Sequence, residues 1–167
     1  MDTFNPQKRS EIMRRVKSQN TSPEIKVRSI LHSLGYRFRL HHKDHPGSPD
    51  IVLPKHRKAI FVHGCFWHRH RRCSNATTPS SRQEYWLPKF ARTIERDRLN
   101  QEKLQSLGWR VHVIWECETK KPHDLRFKIQ SFFDKEYCPE QNKPILAKAA
   151  EKAEAHYCRK KELFNKD

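Results

Sequence analysis

Residues 63–73 combine side chains that bind metal ions with side chains that bind phosphate. The eleven residues, HGCFWHRHRRC, contain three histidines, two cysteines, three arginines and an adjacent phenylalanine and tryptophan. Imidazole and thiolate groups favour a borderline-soft ion such as zinc, whereas guanidinium groups favour phosphate. Two large neighbouring aromatics fit poorly in a core when everything around them is polar. The segment therefore indicates a metal-stabilised loop facing a polyanion, and nucleic acid is the partner class that fits best.

The charge of the whole chain also favours a polyanionic partner. Among 167 residues, 35 lysines and arginines oppose 19 acidic residues, giving a formal net charge of +16, which favours nucleic acid over an anionic membrane surface. No apolar run is long enough to span a bilayer, and the N-terminal residues lack the apolar region of a secretory signal. Five cysteines without an export signal indicate a reducing compartment, where clustered Cys and His are metal ligands rather than disulfides.

Four residues form a candidate zinc site. Three lie within residues 65–73 and the fourth ends a predicted strand, where a ligand can be held rigidly: Cys65, His70, Cys73 and Cys117. Three local ligands and one remote ligand are typical of a closed site that stabilises a fold, and this one would pin the loop 65–88 to the sheet. The alternative is that Cys117 is an ordinary buried cysteine. Cys138 and Cys158 lack clustered partners and are expected to be plain thiols.

A second set of residues fits the hydrolysis of a phosphodiester. Asp50 follows Pro49 at the start of an apolar strand, and the next strand ends at His63. This layout resembles the nuclease superfamily with a P-D…(D/E)-x-K signature, in which the aspartate binds magnesium and the following strand supplies the remaining groups. The dipeptide alone is weak support, because Pro-Asp most often forms a turn and the second strand has F-V-H in place of E-x-K.

Three further residues strengthen this interpretation, and two of them have a structural alternative. His68 is suited to act as a general base because imidazole titrates near neutral pH. Asp97 lies beside the apolar stripe of a predicted helix, where a carboxylate needs a partner such as a histidine; the alternative is a surface ion pair with the arginine on either side of it. Glu24 is the third residue of a capping box with Thr21, and the sequence slightly favours that role.

The elements that position these residues alternate between helix and strand. Periodicity and capping predict helices over residues 21–35 and 88–107 and after Pro122, the second with an apolar face of Phe90, Ile94, Leu104 and Leu107. Alternation and short apolar runs predict strands over residues 36–40, 50–54, 59–63 and 109–117. This order predicts an α/β fold: a mixed sheet covered by helices on both faces.

Several strings of the sequence together resemble one family. They are G-S-P-D-I-V-L, A-I-F-V-H-G-C-F-W-H-R-H-R-R-C, E-Y-W, I-E-R-D-R, L-G-W-R-V and W-E-C, and they span roughly residues 6–120. The combination of H-G-C-F-W-H with the downstream E-R-D and W-E-C is highly specific. On these motifs the chain resembles the very-short-patch repair (Vsr) endonucleases. The resemblance implies a three-layer α/β/α restriction-endonuclease-like fold with a zinc-pinned loop.

The resemblance also implies an activity and its catalytic residues. The reaction is a Mg²⁺-dependent nick on the 5′ side of the thymine in a T·G mismatch, which arises when 5-methylcytosine deaminates. Asp50 and the backbone carbonyl of Val62 would bind Mg²⁺, and His63 and Glu24 would act around the water shell of the ion. His68, oriented by Asp97, would be the general base.

The resemblance further implies a structural Zn²⁺ ion and an intercalating set of side chains. The Zn²⁺ ligands would be Cys65, His70, Cys73 and Cys117. The side chains inserted beside the mismatch would be Phe66, Trp67 and Trp86, with Met13 entering the minor groove. For Phe66 and Trp67 the alternative is packing around the zinc. Insertion at a mismatch costs less unstacking energy than insertion at a normal base step.

We expect a DNA-contacting arm over residues 1–20 and a nuclease domain over residues 21–138. Residues 139–167 are charged and rich in alanine, which predicts a helical tail that the resemblance does not cover. The partner would be double-stranded DNA with a T·G mismatch, with other repair proteins as further candidates. We expect a monomer, because a mismatch has no two-fold symmetry, in the bacterial cytoplasm at the nucleoid. The alternatives are a non-catalytic zinc-containing DNA-binding module and a restriction-type endonuclease that cuts both strands.

Overall fold

The computed structural model describes residues 6–134, which form four helices and a four-stranded sheet. The helices are α1 (Pro6–Arg15), α2 (Ser22–Ser33), α3 (Gln83–Ser106) and α4 (Pro122–Asp134). The strands are β1 (Arg39–Leu40), β2 (Ile51–Leu53), β3 (Lys58–His63) and β4 (Arg110–Trp115), and 3-10 turns follow β2 (Pro54–His56) and β4 (Glu116–Lys120). Within this part of the chain no helix combines the length and apolar character needed to cross a membrane. The predicted tail over residues 139–167 lies outside the described residues.

The sheet is mixed, with the strands in sequence order. β1 pairs antiparallel with β2, β2 pairs antiparallel with β3, and β3 pairs parallel with β4. Parallel neighbours require a crossover connection, and α3 lies in it. Every residue of β2 and most residues of β3 are buried. A strand covered on both faces has a continuous apolar sequence, which is why these two strands could be predicted.

α3 and α4 cover opposite faces of the sheet. Side chains alternate along a strand, so Ala59 and Phe61 share one face, where they pack with Leu104 of α3. His112 lies on the other face, where its ring stacks on Phe132 of α4 with centroids 4.7 Å apart. The predicted α/β/α layers and mixed sheet are confirmed.

The first predicted strand was wrong in extent. Residues 36–40 were expected to form it, but only Arg39 and Leu40 do. The reason is that Tyr36 still belongs to the end of α2, where its backbone N–H donates to the carbonyl of Leu31 at 3.0 Å.

The prediction for α3 was also wrong in two respects. The helix begins at Gln83 and continues through Pro88, where a start was expected; the stacked rings of Trp86 and Phe90, 5.6 Å apart, stabilise its early turns. Of the predicted apolar face, Phe90 and Leu104 are buried, but Ile94 and Leu107 are 49% and 55% exposed. Leu104, near the end of the helix, packs on the sheet, whereas Phe90 packs on the rings of Phe66 and Trp86.

Candidate active site and metal centre

A cleft of about 810 Å³ is lined by residues of α2, α3 and the ends of two strands. All five predicted catalytic residues line it, together with Val62 and Trp67; the five are Glu24, Asp50, His63, His68 and Asp97. The antiparallel register places Asp50, just before β2, beside the last residues of β3. The carboxyl ends of parallel strands are where α/β sheets commonly bind ligands, and β3 and β4 end at this cleft.

His68 and Asp97 form a hydrogen-bonded pair at the cleft. His68 Nδ1 lies 2.5 Å from Asp97 Oδ2. Burial alone would raise the pKa of Asp97, but the hydrogen bond with His68 and the charge of that imidazole outweigh burial, so the net pKa is lowered. Asp97 also contacts Arg96 at 3.4 Å, whereas Arg98 binds two glutamates of its own helix. Asp97 therefore contacts both partners that the sequence suggested, a histidine and a neighbouring arginine, and the histidine is the closer of the two.

His63 stacks on His68, with ring centroids 3.8 Å apart and planes inclined by 12°. It is buried at the end of β3. Burial, followed by the neighbouring His68 ring, lowers the pKa of His63 to about 4. His63 is therefore neutral near pH 7 and adds no positive charge beside His68.

Glu24 occupies the first turn of α2 and is only 3% exposed. The predicted capping box is present: the backbone N–H of Glu24 donates to Thr21 Oγ1, and the backbone N–H of Thr21 donates to Glu24 Oε1 at 3.3 Å. Thr21 Oγ1 also donates to Glu24 Oε1, at 2.8 Å. The second carboxylate oxygen of Glu24 accepts a hydrogen bond from Arg28 Nη2 at 2.6 Å. The same Arg28 nitrogen lies 3.0 Å from His41 Nε2. Glu24 therefore caps its helix and faces the cleft at the same time.

Asp50 accepts a hydrogen bond from the backbone N–H of Val62 at 2.7 Å. Burial raises the pKa of Asp50, the Val62 N–H opposes that shift, and the Glu24 carboxylate adds to it, so the net pKa is raised. Glu24, His41 and Asp50 offer ligand atoms that all lie within 4.8 Å of one another. Carboxylate oxygens suit a hard cation such as magnesium. The sequence interpretation missed His41, because a histidine after a two-residue strand carries no recognisable pattern.

The four predicted zinc ligands converge on one point. The ligand atoms of Cys65, His70, Cys73 and Cys117 all lie within 4.8 Å of one another. His70 Nδ1 is 3.3 Å from Cys117 Sγ and 3.7 Å from Cys65 Sγ, close to the separation of about 3.6 Å that tetrahedral zinc imposes on sulfur and nitrogen ligands. Burial raises the pKa of Cys65 to about 12, so a cation is needed to hold this sulfur as a thiolate. Cys117 lies in the 3-10 turn after β4, not at the end of the strand as expected.

The rings of Phe66, Trp67 and Trp86 form one aromatic cluster beside the cleft. Phe66 lies 5.0 Å from Trp67 and 5.5 Å from Trp86, centroid to centroid. The cluster rests on Phe90 of α3, and Lys89 Nζ lies 5.4 Å from each tryptophan ring. All three rings are half-buried. Met13 lies on α1, but its side chain is outside the described part of the chain.

Comparison with known proteins identifies the family. The family model described as DNA mismatch endonuclease Vsr matches residues 1–75. A type II nicking enzyme, V.XorIIP of Xanthomonas oryzae pv. oryzae, is 47% identical over 80% of this chain and 97% of its own length. DNA mismatch endonuclease Vsr of Escherichia coli is 41% identical over 70% of this chain and 74% of its own length.

A solved structure also matches at a distance. The catalytic domain of homing endonuclease I-Bth0305I covers 68% of this chain and 94% of that domain, with a TM-score of 0.48 and 23% identity. This likeness is too distant to bear on the activity. The two relatives suffice: the chain belongs to the Vsr family of DNA mismatch endonucleases and is a nuclease that acts on DNA in repair.

Proposed function

We propose that this chain nicks DNA on the 5′ side of the thymine in a T·G mismatch, in a magnesium-dependent step of very short patch repair. The observation that carries the proposal is the shared cleft, lined both by the carboxylates of Glu24 and Asp50 and by the pair of His68 and Asp97. A cation-binding group beside a proton acceptor is what metal-assisted phosphodiester hydrolysis requires. Relatives named mismatch endonuclease and nicking enzyme support the target and the single-strand cut.

The residues present fit a magnesium ion. Burial and, to a smaller extent, the nearby Glu24 carboxylate raise the pKa of Asp50, and a divalent cation would relieve the repulsion between the two carboxylates. We propose that Asp50 and the backbone carbonyl of Val62 hold the ion, with Glu24 and His63 beside its water shell. When bound, Mg²⁺ would neutralise the scissile phosphate and make its phosphorus more electrophilic.

In the proposed mechanism, His68 accepts the proton of the attacking water. Its Nδ1 is engaged by Asp97, so the free acceptor of the neutral ring is Nε2. The lowered pKa of Asp97 keeps that carboxylate ionised, which stabilises the imidazolium formed after proton transfer. Neutral His63, stacked on the same ring, does not repel that positive charge.

The second metal in the proposal is a structural zinc ion held by Cys65, His70, Cys73 and Cys117. The sulfur-rich donor set excludes a hard cation and favours zinc. These ligands connect the loop after β3 to the turn after β4. The four ligand side chains would thereby hold this loop, which carries His68, at a fixed position above the sheet.

We further propose that Phe66, Trp67 and Trp86 insert beside the mismatch, assisted by Met13 from the arm over residues 1–20. Half-buried rings with a lysine over them suit base stacking next to phosphate. One mismatch offers one site without two-fold symmetry, so the protein would act as a monomer. It would act at the bacterial nucleoid in the cytoplasm. Residues 21–138 would form the nuclease domain, and residues 139–167 a charged helical tail.

A nicking assay on a duplex with one T·G mismatch tests the proposal. Replacement Asp50→Asn keeps the shape of the side chain but removes the charge that holds the cation. We expect this variant to lose nicking by at least about 10³-fold, on the order of a lost metal ligand's effect, while still binding the mismatched duplex. Omitting Mg²⁺ from the wild-type reaction should have the same result, and a duplex with T·A should stay intact.

The matched control is Asp44→Asn, in the same loop but with a side chain that is 88% exposed. It should nick at the wild-type rate. Nicking by Asp50→Asn at that rate would contradict the metal-carboxylate assignment. Binding without cleavage by the wild type would favour the zinc-containing DNA-binding module, and linear product from a circular substrate would favour a restriction-type enzyme.

A further inference from the structure

Trp115, the last residue of β4, lies between the metal centre and the catalytic candidates. Its indole stacks on His70, with ring centroids 4.2 Å apart and planes inclined by 7°. The same indole meets His63 at 5.5 Å and 75°, and His63 stacks on His68 at 3.8 Å. Four rings therefore form a continuous series of contacts from the Cys-His cluster to the His68–Asp97 pair.

The sheet fixes the order of these rings. His63 and Trp115 are register partners on the parallel strands β3 and β4, so their side chains rise side by side from the same face. The backbone N–H of Trp115 also donates to Glu118 Oε2 at 2.9 Å, which anchors the end of the strand. Trp115 has little freedom to turn without moving His63, because packed rings transmit displacement.

A bound metal would restrict this series from one end. Coordination fixes the direction of an imidazole ring, so His70 would present a fixed plane to Trp115. We infer that Trp115 is a positioning residue for DNA cleavage, coupling the Cys-His cluster to the orientation of His63 and His68. The inference rests on the proposed function. The metal centre then controls the rate of the reaction as well as the stability of the loop.

Two replacements separate positioning from simple packing in the full-length, zinc-loaded protein. Trp115→Leu removes the ring, whereas Trp115→Phe keeps an aromatic plane at the same place. We expect Trp115→Leu to lower kcat on the T·G duplex by about 10- to 100-fold, because a misplacement of about 1 Å can cost that much. KM and zinc content should stay near the wild-type values, and Trp115→Phe should recover most of the rate.

Phe132→Leu is the matched control. Phe132 lies on α4, where its ring packs on His112 on the face of the sheet opposite the catalytic candidates. Loss of this ring should lower the melting temperature and leave kcat close to that of the wild type. A general weakening of the sheet would instead lower kcat equally in both leucine variants, which would overturn the inference.

The imidazole Cε1–Hε1 NMR signals give a readout that does not depend on nicking. His68 lies one ring beyond His63, so a shifted or broadened His68 signal in Trp115→Leu, restored in Trp115→Phe, reports its displacement. An unchanged His68 signal with unchanged kcat, or a Trp115→Phe variant as impaired as Trp115→Leu, would overturn the inference. If the wild type leaves the T·G duplex intact, the proposed function fails, and the His68 signal still decides whether Trp115 positions that ring.

Discussion

The hydrogen bond between His68 and Asp97 gives the two nitrogen atoms of the imidazole different roles. Nδ1 lies 2.5 Å from the carboxylate, and Nε2 remains to accept a proton. An aspartate at this place both orients the ring and stabilises its charged form. The pair is therefore more sensitive to loss of charge than to loss of volume.

Replacement Asp97→Asn tests this at the scale of one residue. The amide keeps the shape but removes the charge and can offer its own N–H to the ring, which favours the wrong proton position on His68. We expect the single-turnover nicking rate to fall by about 10²- to 10⁴-fold, the usual range for a general base, with little change in duplex affinity. The control is Glu95→Gln on the same helix, because Glu95 is also hydrogen-bonded but exposed. Equal rates in the two variants would contradict the role of Asp97.

Individual residues show how far the sequence could predict the site. The sequence around Glu24 fits a helix cap as well as a catalytic group, and the structure uses the two oxygen atoms of this carboxylate separately. Asp50 and His68 could be predicted from their types and motifs. Arg28 and Trp115 could not, because their importance comes from contacts across the fold.

At the scale of elements, the loop between β1 and β2 depends on a close approach to α3. Gly47 has a φ of +73°, and a Cβ added there would lie 2.8 Å from Asn100 Cβ. Gly35 has a similar φ of +82° but nothing within 4 Å of its added Cβ. Replacing Gly35 therefore tests the cost of the backbone conformation alone, whereas replacing Gly47 adds the cost of the contact with Asn100.

We expect Gly35→Ala to lower the free energy of unfolding by about 1–2 kcal/mol, the cost of a left-handed backbone for an ordinary residue. Gly47→Ala should lose more, and should also slow nicking, because displacement of its loop moves Asp50. Urea unfolding and the nicking assay measure the two effects. Equal destabilisation by the two replacements would show that the contact with Asn100 relaxes without cost.

β4 carries a histidine, His112, whose protonated form is disfavoured in the folded protein. The ring of His112 packs on Phe132, and its Nε2 is buried without a hydrogen-bond partner among the described residues. Burial, and then the charge of Lys128, lower the pKa of His112 to about 4; Arg110 adds to this shift and Glu118 opposes it. An unfolded histidine has a pKa of about 6.5. As the pH falls from about 6.5 to about 4, the unfolded chain binds a proton that the folded chain does not, so stability is lost across that window.

Replacement His112→Phe removes this loss. The free energy of unfolding of the variant, minus that of the wild type, should grow as the pH falls, by up to about 1.4 kcal/mol per pH unit. His63 has a similarly lowered pKa, but it is present in both proteins, so its contribution to the pH dependence cancels in the difference. The control is His123→Phe, since His123 is 97% exposed and its difference should not vary with pH. A constant difference for His112→Phe would mean that the folded ring titrates with the same pKa as an unfolded histidine, which would contradict the lowered pKa.

Elements were predictable where burial gives a simple pattern. β2 and β3 are covered on both faces, and their continuous apolar runs are recognisable without tertiary information. The start of α3 was not predictable, because Pro88 normally limits a helix and the turns before it are stabilised by rings from residues 66 and 90. The length of the edge strand β1 was overestimated. Its alternating sequence is compatible with a longer strand, but β2, its one neighbour, pairs with only two of its residues.

At the scale of the whole molecule, the Cys-His cluster joins chain segments that are far apart in sequence. Cys65, His70 and Cys73 follow β3, whereas Cys117 follows β4. We expect Cys117→Ser to lose bound zinc and to lower the melting temperature by roughly 10 °C. Each kcal/mol of unfolding free energy that is lost shifts the melting temperature by about 2–4 °C in a domain of this size. Atomic absorption and calorimetry measure the two quantities. Cys138→Ser is the control, and zinc retained by Cys117→Ser would remove Cys117 from the ligand set.

The contact between Arg28 and His41 decides which atoms around Asp50 can face a cation. A guanidinium group has no lone pair to offer, so the His41 nitrogen 3.0 Å from it must be the unprotonated one. The tautomer of His41 is thereby fixed, with its hydrogen on Nδ1, the atom 4.0 Å from Asp50 Oδ1. While Arg28 stays in place, neither nitrogen of His41 has a free electron pair for an ion, and the ring can only donate a hydrogen bond on the Asp50 side.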